Sequence, residues 1–239
     1  MEMFNVFNIP TGVAQINDRV VQAAKRTNRD PSQVKIVAVS KFIAPERIVE
    51  ALQAGITILG ENRVQEFLHK YSMIEGPVEW HLVGTLQTNK VKQVVGRVEL
   101  IHSLDRFSLA AEISRQAKSA GIEVNVLVQV NISREPSKHG LERSKVIPFL
   151  KQVSQLEGLR VKGLMTIAPL GNQEVVRLVF REMHELFEQI AKLDIPKVEM
   201  KYLSMGMTDD FEVAVEEGAN LLRIGTGIFG KRLMIKREG

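Results

Sequence analysis

Three stretches of the 239-residue chain carry side chains whose chemistry can be joined. Lys41 closes the run Ile36-Val-Ala-Val-Ser-Lys41, and strand alternation puts Val37, Val39 and Lys41 on one face. Turned toward an apolar interior, such an ammonium is partly desolvated and its free amine becomes a nucleophile. Alone, the residue reads first as a lysine snorkelling from a strand end. The stretch Tyr202-Leu-Ser204-Met-Gly206-Met-Thr208-Asp-Asp leaves a β-type run and opens a helix, and Arg223-Ile-Gly225-Thr226-Gly227 forms a small-residue turn after the next one. Small residues ahead of a helix start leave N–H groups for an anion, and the helix dipole adds to the attraction. Each turn alone is also a plain tight turn with a cap. Together, on neighbouring elements, they favour a phosphate. Arg223 lies two residues before Gly225 and shares its face. Its guanidinium either contacts another part of the same ligand or bridges to an interior carboxylate.

The elements that must position these groups alternate strictly. Short β-branched runs at 35–40, 56–61, 79–84, 100–104, 124–131, 161–167, 200–204 and 221–226 read as strands. Amphipathic segments between them, among them 45–54, 62–74, 109–120, 145–156 and 174–193, read as helices, and an extra helix at about 11–27 precedes everything. Pro45 suits a first helical turn, Gly55, Gly121 and Gly218 suit left-handed C-terminal caps, and Asp209 suits an N-cap. Regular alternation without a linker predicts a single α/β domain over 1–239, a (β/α)8 TIM barrel. In that architecture the site lies at the C-terminal mouth. Lys41, Glu61, Asn62, His81, Gly84, Ser103, Asn131, Thr166, Ser204 and Arg223 all fall on strand ends of that kind.

Composition removes several functions. There is no cysteine, hence no disulfide, thiolate metal site or cysteine nucleophile. The formal net charge of +4 is spread among 28 acidic residues, without the basic stripe of a nucleic-acid binder. The N-terminus lacks a secretory signal and a membrane span, so the expected location is the cytoplasm. The five histidines show no metal-ligand spacing, and no metal site is expected. Whether His81 faces in with Val83 or out with Leu82 stays open. The segment 133–140 is long enough for a lid but reads by default as a solvated loop, and the basic tail from Lys231 reads as a solvated helix end.

As a set, in this order and spacing, these residues resemble a known family. Ala38-Val39-Ser40-Lys41, Gly60-Glu61-Asn62, His81-Leu-Val-Gly84 with Leu86, Gln87, Asn89 and Lys90, Ser137-Lys138 with Gly140, Gly163-Leu-Met165, Leu203-Ser-Met-Gly-Met207 and Arg223-Ile-Gly225-Thr226 resemble the YggS/PROSC family of pyridoxal 5′-phosphate (PLP) homeostasis proteins over about residues 10–232. The resemblance implies a barrel like the alanine racemase N-terminal domain. It implies that Lys41 carries PLP as an imine, that Ser204, Gly206, Gly225 and Thr226 bind its phosphate, that Arg223 meets the pyridine nitrogen, and that Asn62 and Met165 lie near the ring. It further implies control of vitamin B6 pools without strong turnover, with PLP-dependent apoenzymes as candidate recipients. An arginine at the ring nitrogen makes a weaker electron sink than an aspartate would. Three readings follow. The first is a monomeric PLP carrier or regulator, and the second a slow PLP-dependent amino-acid racemase. The second lacks an evident second base, since Tyr71 and Tyr202 are the only tyrosines. The third is a Schiff-base aldolase using Lys41 on a sugar-phosphate carbonyl.

Overall fold

Each β-branched run finds a parallel neighbour, and the last finds the first. In the computed structural model, which describes residues 7–133, 135 and 139–231, β1 (Lys35–Val39), β2 (Ile58–Glu61), β3 (Glu79–Leu82), β4 (Leu100–Leu104), β5 (Val124–Gln129), β6 (Leu159–Met165), β7 (Val198–Ser204) and β8 (Leu221–Ile224) close a barrel in chain order. Closure is made by β1 pairing with β8, Lys35 opposite Leu221 through Ala38 opposite Ile224. The β7–β8 seam is sparser, with Ser204 opposite Leu221 as its one ladder pair. Asn220 supplements it: its Oδ1 accepts from the Leu203 N–H at 2.8 Å, and its Nδ2 donates to the Lys201 carbonyl at 2.8 Å.

Helices α2 (Pro45–Gln53), α3 (Val64–Tyr71), α4 (Val91–Val94), α5 (Phe107–Ala120), α6 (Arg143–Val153), α7 (Gln173–Ala191), α8 (Phe211–Glu216) and α9 (Thr226–Phe229) follow the strands, and α1 (Ile9–Arg26) precedes them. Alternation sorts each strand between two cores. Ala38, Leu59, Leu82, Ile101 and Val126 face the helices, whereas Val37, Ile58, Leu100, Leu127, Met165 and Leu221 form a separate cluster inside the barrel. Asn8 caps α1 by accepting from the Thr11 N–H at 2.8 Å.

The expected strands and helices are all present, with shifted ends. β6 begins two residues early because Leu159 pairs with Val124, and a neighbour's ladder outweighs local propensity. β8 stops at Ile224, since Gly225 leaves the strand at φ −109°, ψ −80°, and Thr226 begins α9 instead of ending a strand. The short α4 was not legible in the pattern. Gly55, Gly121 and Gly218 have the expected positive φ. The cap expected at Asp209 is corrected: Asp210 holds the N-cap place of α8, and its Oδ1 accepts from the Met207 N–H at 2.5 Å. Ser137, Lys138 and the tail beyond Lys231 lie outside the described residues.

Candidate ligand site at the C-terminal mouth

Where the strands end, Lys41, Asn62, Arg223, Gly225 and Thr226 line one cavity of about 300 Å³. The inward face argued for Lys41 is observed: Val37 belongs to the inner cluster, and Lys41, half-buried, follows on the same side. Both neighbours of Lys41 are held. The Ser40 hydroxyl donates to Glu61 Oε1 at 2.6 Å, the Lys70 ammonium donates to the Ser40 carbonyl, and the Phe42 N–H donates to Glu66. Lys70 also pairs with Glu61 and Glu66, each at 2.7 Å, while only 3% exposed itself. Burial raises the Glu61 carboxyl above its ordinary range, against the pull of Lys70 and Ser40. Phe42 takes φ 63°, a left-handed conformation that a bulky residue adopts only when its surroundings impose it.

Asn62 is placed by a close approach. A Cβ on Gly84 would lie 2.3 Å from the Asn62 carbonyl oxygen, so the turn after β3 packs on this backbone only as glycine. The turn after β8 differs. A Cβ on Gly225 would meet nothing nearer than the Val39 carbonyl oxygen at 3.5 Å, so the protein itself leaves that space open beside Arg223 and Thr226. Thr208 ties this turn to the preceding one, its Oγ1 accepting from the Gly227 N–H at 3.1 Å.

Arg223 is 5% exposed. Its Nη1 donates to Ser204 Oγ at 2.7 Å and its Nη2 to the Thr166 carbonyl at 2.8 Å. Burial draws its pKa down to about 10, with Asp210 opposing. Among the described residues it makes no ion pair, so the interior carboxylate bridge weighed above is not what holds it. Ser204 continues the chain to His102 Nδ1 at 3.1 Å, and His102 Nε2 meets His81 Nδ1 at 3.0 Å. His81 therefore faces inward. Desolvation holds it down to about 3 and His102 well below the usual histidine range, so both rings are neutral near pH 7.

Three expected site residues stand elsewhere. The Ser204 hydroxyl is fully buried between Arg223 and His102 and does not line the cavity. Gly206 is buried at φ 91°, where a Cβ would lie 2.6 Å from that of Ala214. Met165 lies in the inner cluster below the floor, and Ile167, two residues on, takes the wall. The residues of the β7 turn that do line the cavity are Met207, Thr208 and Asp209. Thr208 lies within the stretch that leaves the strand but just past the Leu203–Met207 motif, where no periodicity announces its direction. A second lobe of about 280 Å³ shares Asn62, Val83 and Ile167 and reaches Gln129, Asn131 and His139. Among the described residues no group of three or more His, Cys, Asp or Glu converges as a metal site, and no helix is long and apolar enough to cross a membrane.

Residues 13–232 match the family model described as alanine racemase, N-terminal domain. The pyridoxal phosphate homeostasis protein of Aquifex aeolicus is 43% identical over 222 residues, spanning 92% of this chain and 96% of that protein. The chain belongs to the pyridoxal phosphate homeostasis proteins of the alanine racemase N-terminal domain family. Its relative of the same description in Escherichia coli K12 is 37% identical over 231 residues, 94% of this chain and 97% of that one. Among solved structures, PipY of Synechococcus elongatus with PLP bound superposes with a TM-score of 0.78 at 34% identity, covering 89% of this chain and all (100%) of PipY. The closed barrel with α1 added before β1 is what the alternation of runs predicts, and its likeness to the alanine racemase N-terminal domain is what the family resemblance implied.

Proposed function

We propose that the chain binds PLP at the C-terminal mouth and serves PLP homeostasis, with Lys41 holding the cofactor as an imine. One observation carries the reading: Lys41, Arg223 and the open space at Gly225 share a cavity, so an amine, a guanidinium and an anion cradle converge. This donor set fits an aldehyde, a pyridine nitrogen and a phosphate. When bound, PLP supplies an electron-withdrawing ring conjugated to the imine. The chain's own residues do the rest. The turns at 204–208 and 225–226 hold the phosphate, with Thr208 added to the residues named from sequence, and Asn62 lies beside the ring. Arg223, a donor without a lone pair, faces the ring nitrogen and disfavours its protonation. That suits holding the cofactor better than stabilising a carbanion.

Neither tyrosine lines this mouth: Tyr71 is 42% exposed on α3, and Tyr202 lines a cavity at the opposite end. This supports the carrier or regulator reading over a slow amino-acid racemase. The reading extends to a monomer in the cytoplasm with PLP-dependent apoenzymes as recipients. A mouth open to solvent and a chain without cysteine support that extension. Borohydride reduction and peptide mapping should place the pyridoxyl group on the peptide containing Lys41. Label chiefly on Lys90 or Lys231 would overturn the assignment, and fast interconversion of L- and D-alanine by the purified protein would restore the racemase.

A further inference from the structure

The strands also begin around a cavity of about 300 Å³, at the end of the barrel opposite Lys41. Its charges are sorted by side. Lys35 on β1 and Lys201 on β7 stand to either side of β8, while Glu79 and Glu99 stand at the starts of β3 and β4, across the barrel. Lys162 is neutralised by Glu199 at 2.6 Å, and Glu99 accepts from Asn125 at 3.1 Å. Lys35 and Lys201 make no ion pair among the described residues. Their ammonium groups lie 5.9 and 5.1 Å from the centroid of one ring, that of Tyr202, which lines the same cavity.

His81, 3% exposed, also lines this cavity, and its tautomer is coupled to the other end of the barrel. Arg223 has donors only, so Ser204 Oγ accepts from it. That oxygen has a second lone pair, so it either donates its own proton to a bare His102 Nδ1 or accepts from a protonated one. In the first arrangement His102 carries its proton on Nε2 and donates to His81 Nδ1, and a neutral His81 carries its proton on Nε2. With Nδ1 committed, that N–H is the edge left for the cavity, and no described protein group accepts it.

We propose that this N-terminal mouth is a second binding site, taking a small oxyanion between Lys35 and Lys201 against the Tyr202 ring, with the His81 Nε2–H as an uncharged donor. The chemistry is that of a phosphate or carboxylate group, and Glu79 and Glu99 keep it to the β7–β1 side. The site is separate from the one assigned to PLP and does not depend on that assignment. Inorganic phosphate and acetate, titrated separately into the full chain labelled with nitrogen-15 histidine, should each be followed at the His81 ring resonances.

A saturable shift with phosphate is expected, and a matching shift with acetate would make the site general for oxyanions. Lys35→Gln and Lys201→Gln, both changes of exposed side chains, should each weaken binding by about tenfold, the loss of one charge-assisted contact. Gly225→Val, which fills the other mouth, should leave the titration unchanged. No saturable shift with either anion, or wild-type affinity in both lysine variants, overturns the proposal. Loss of the shift in Gly225→Val also overturns it, by placing the anion at the C-terminal mouth.

Discussion

Lys41 stands between two residues anchored by one buried cluster. Ser40 is tied to Glu61 and Lys70, and Phe42 to Glu66, which Lys70 also holds. Removing one partner of a buried ion pair costs about 3–5 kcal/mol, because the remaining charge is stranded. Lys70→Met should show a loss of that size by urea titration. It should also slow imine formation, since the strained turn at Phe42 then relaxes; unchanged imine kinetics in the folded variant would confine Lys70 to stability. The sequence does not announce this, because Glu and Lys four apart on a helix is also the spacing of an ordinary solvated pair. Asn62 and Thr226 were legible because they stand where strands end, and Lys41, Arg223 and Gly225 because strand alternation assigns a face. It could not tell that His102, from another strand, claims the Ser204 hydroxyl. The two histidines set a pH response. Their protonation is disfavoured in the folded state and ordinary in the unfolded one, so the unfolded chain binds more protons below about pH 6.5. The stability they contribute is complete above that pH and falls with acidification toward about 3 for His81, by about 1.4 kcal/mol per pH unit for each ring. Denaturant titrations from about pH 7 to pH 4 should show His81→Phe losing roughly one proton's worth of that slope.

At the scale of elements, α1 is more than an addition before the barrel. Arg19 and Arg26 pair with Glu212 and Glu216 on α8, each at 2.7 Å, and Arg29, just past α1, donates to the carbonyls of Val215 and Ala219. Gly12 touches the other flank of the cradle: a Cβ there would lie 2.9 Å from the Gly227 carbonyl oxygen on α9. Helix α1 therefore buttresses both elements that follow the turns proposed to hold phosphate. Gly12→Ala tests this because its two effects oppose. Propensity alone would stabilise the helix by about 1 kcal/mol, whereas displacement of α9 costs about 1–3 kcal/mol. A lowered melting temperature together with weaker PLP binding in a spectral titration is expected. A stabilised variant with unchanged affinity would separate α1 from the cradle. The helix itself was legible from its periodicity and its contact with α9 was not, because α9 is four residues long and begins where a strand was expected to end.

For the molecule as a whole, the alternation of runs was enough to specify closure, since eight parallel strands with helices outside leave no edge to cover. Closure is not uniform around the ring. The β7–β8 seam, with its one ladder pair and the Asn220 side chain completing it, lies directly beneath both turns of the cradle. It is filled out by the Asn220 side-chain amide, which can rotate away, and by the Arg223 N–H donating to the Gly206 carbonyl at 3.0 Å, whereas β5 and β6 share five ladder pairs on either side of one register shift. The barrel should therefore breathe at this seam first. Hydrogen exchange should be fastest, among barrel amides, at Leu203 and its neighbours in β7, and Asn220→Ala should speed it further there while leaving β5 and β6 protected. Each such opening parts the two turns proposed to hold the phosphate, which gives a bound anion a way out from below, beside the open mouth, that needs no unfolding of the barrel. An exit of that kind is slower than diffusion and faster than denaturation, and a seam with one ladder pair supplies it.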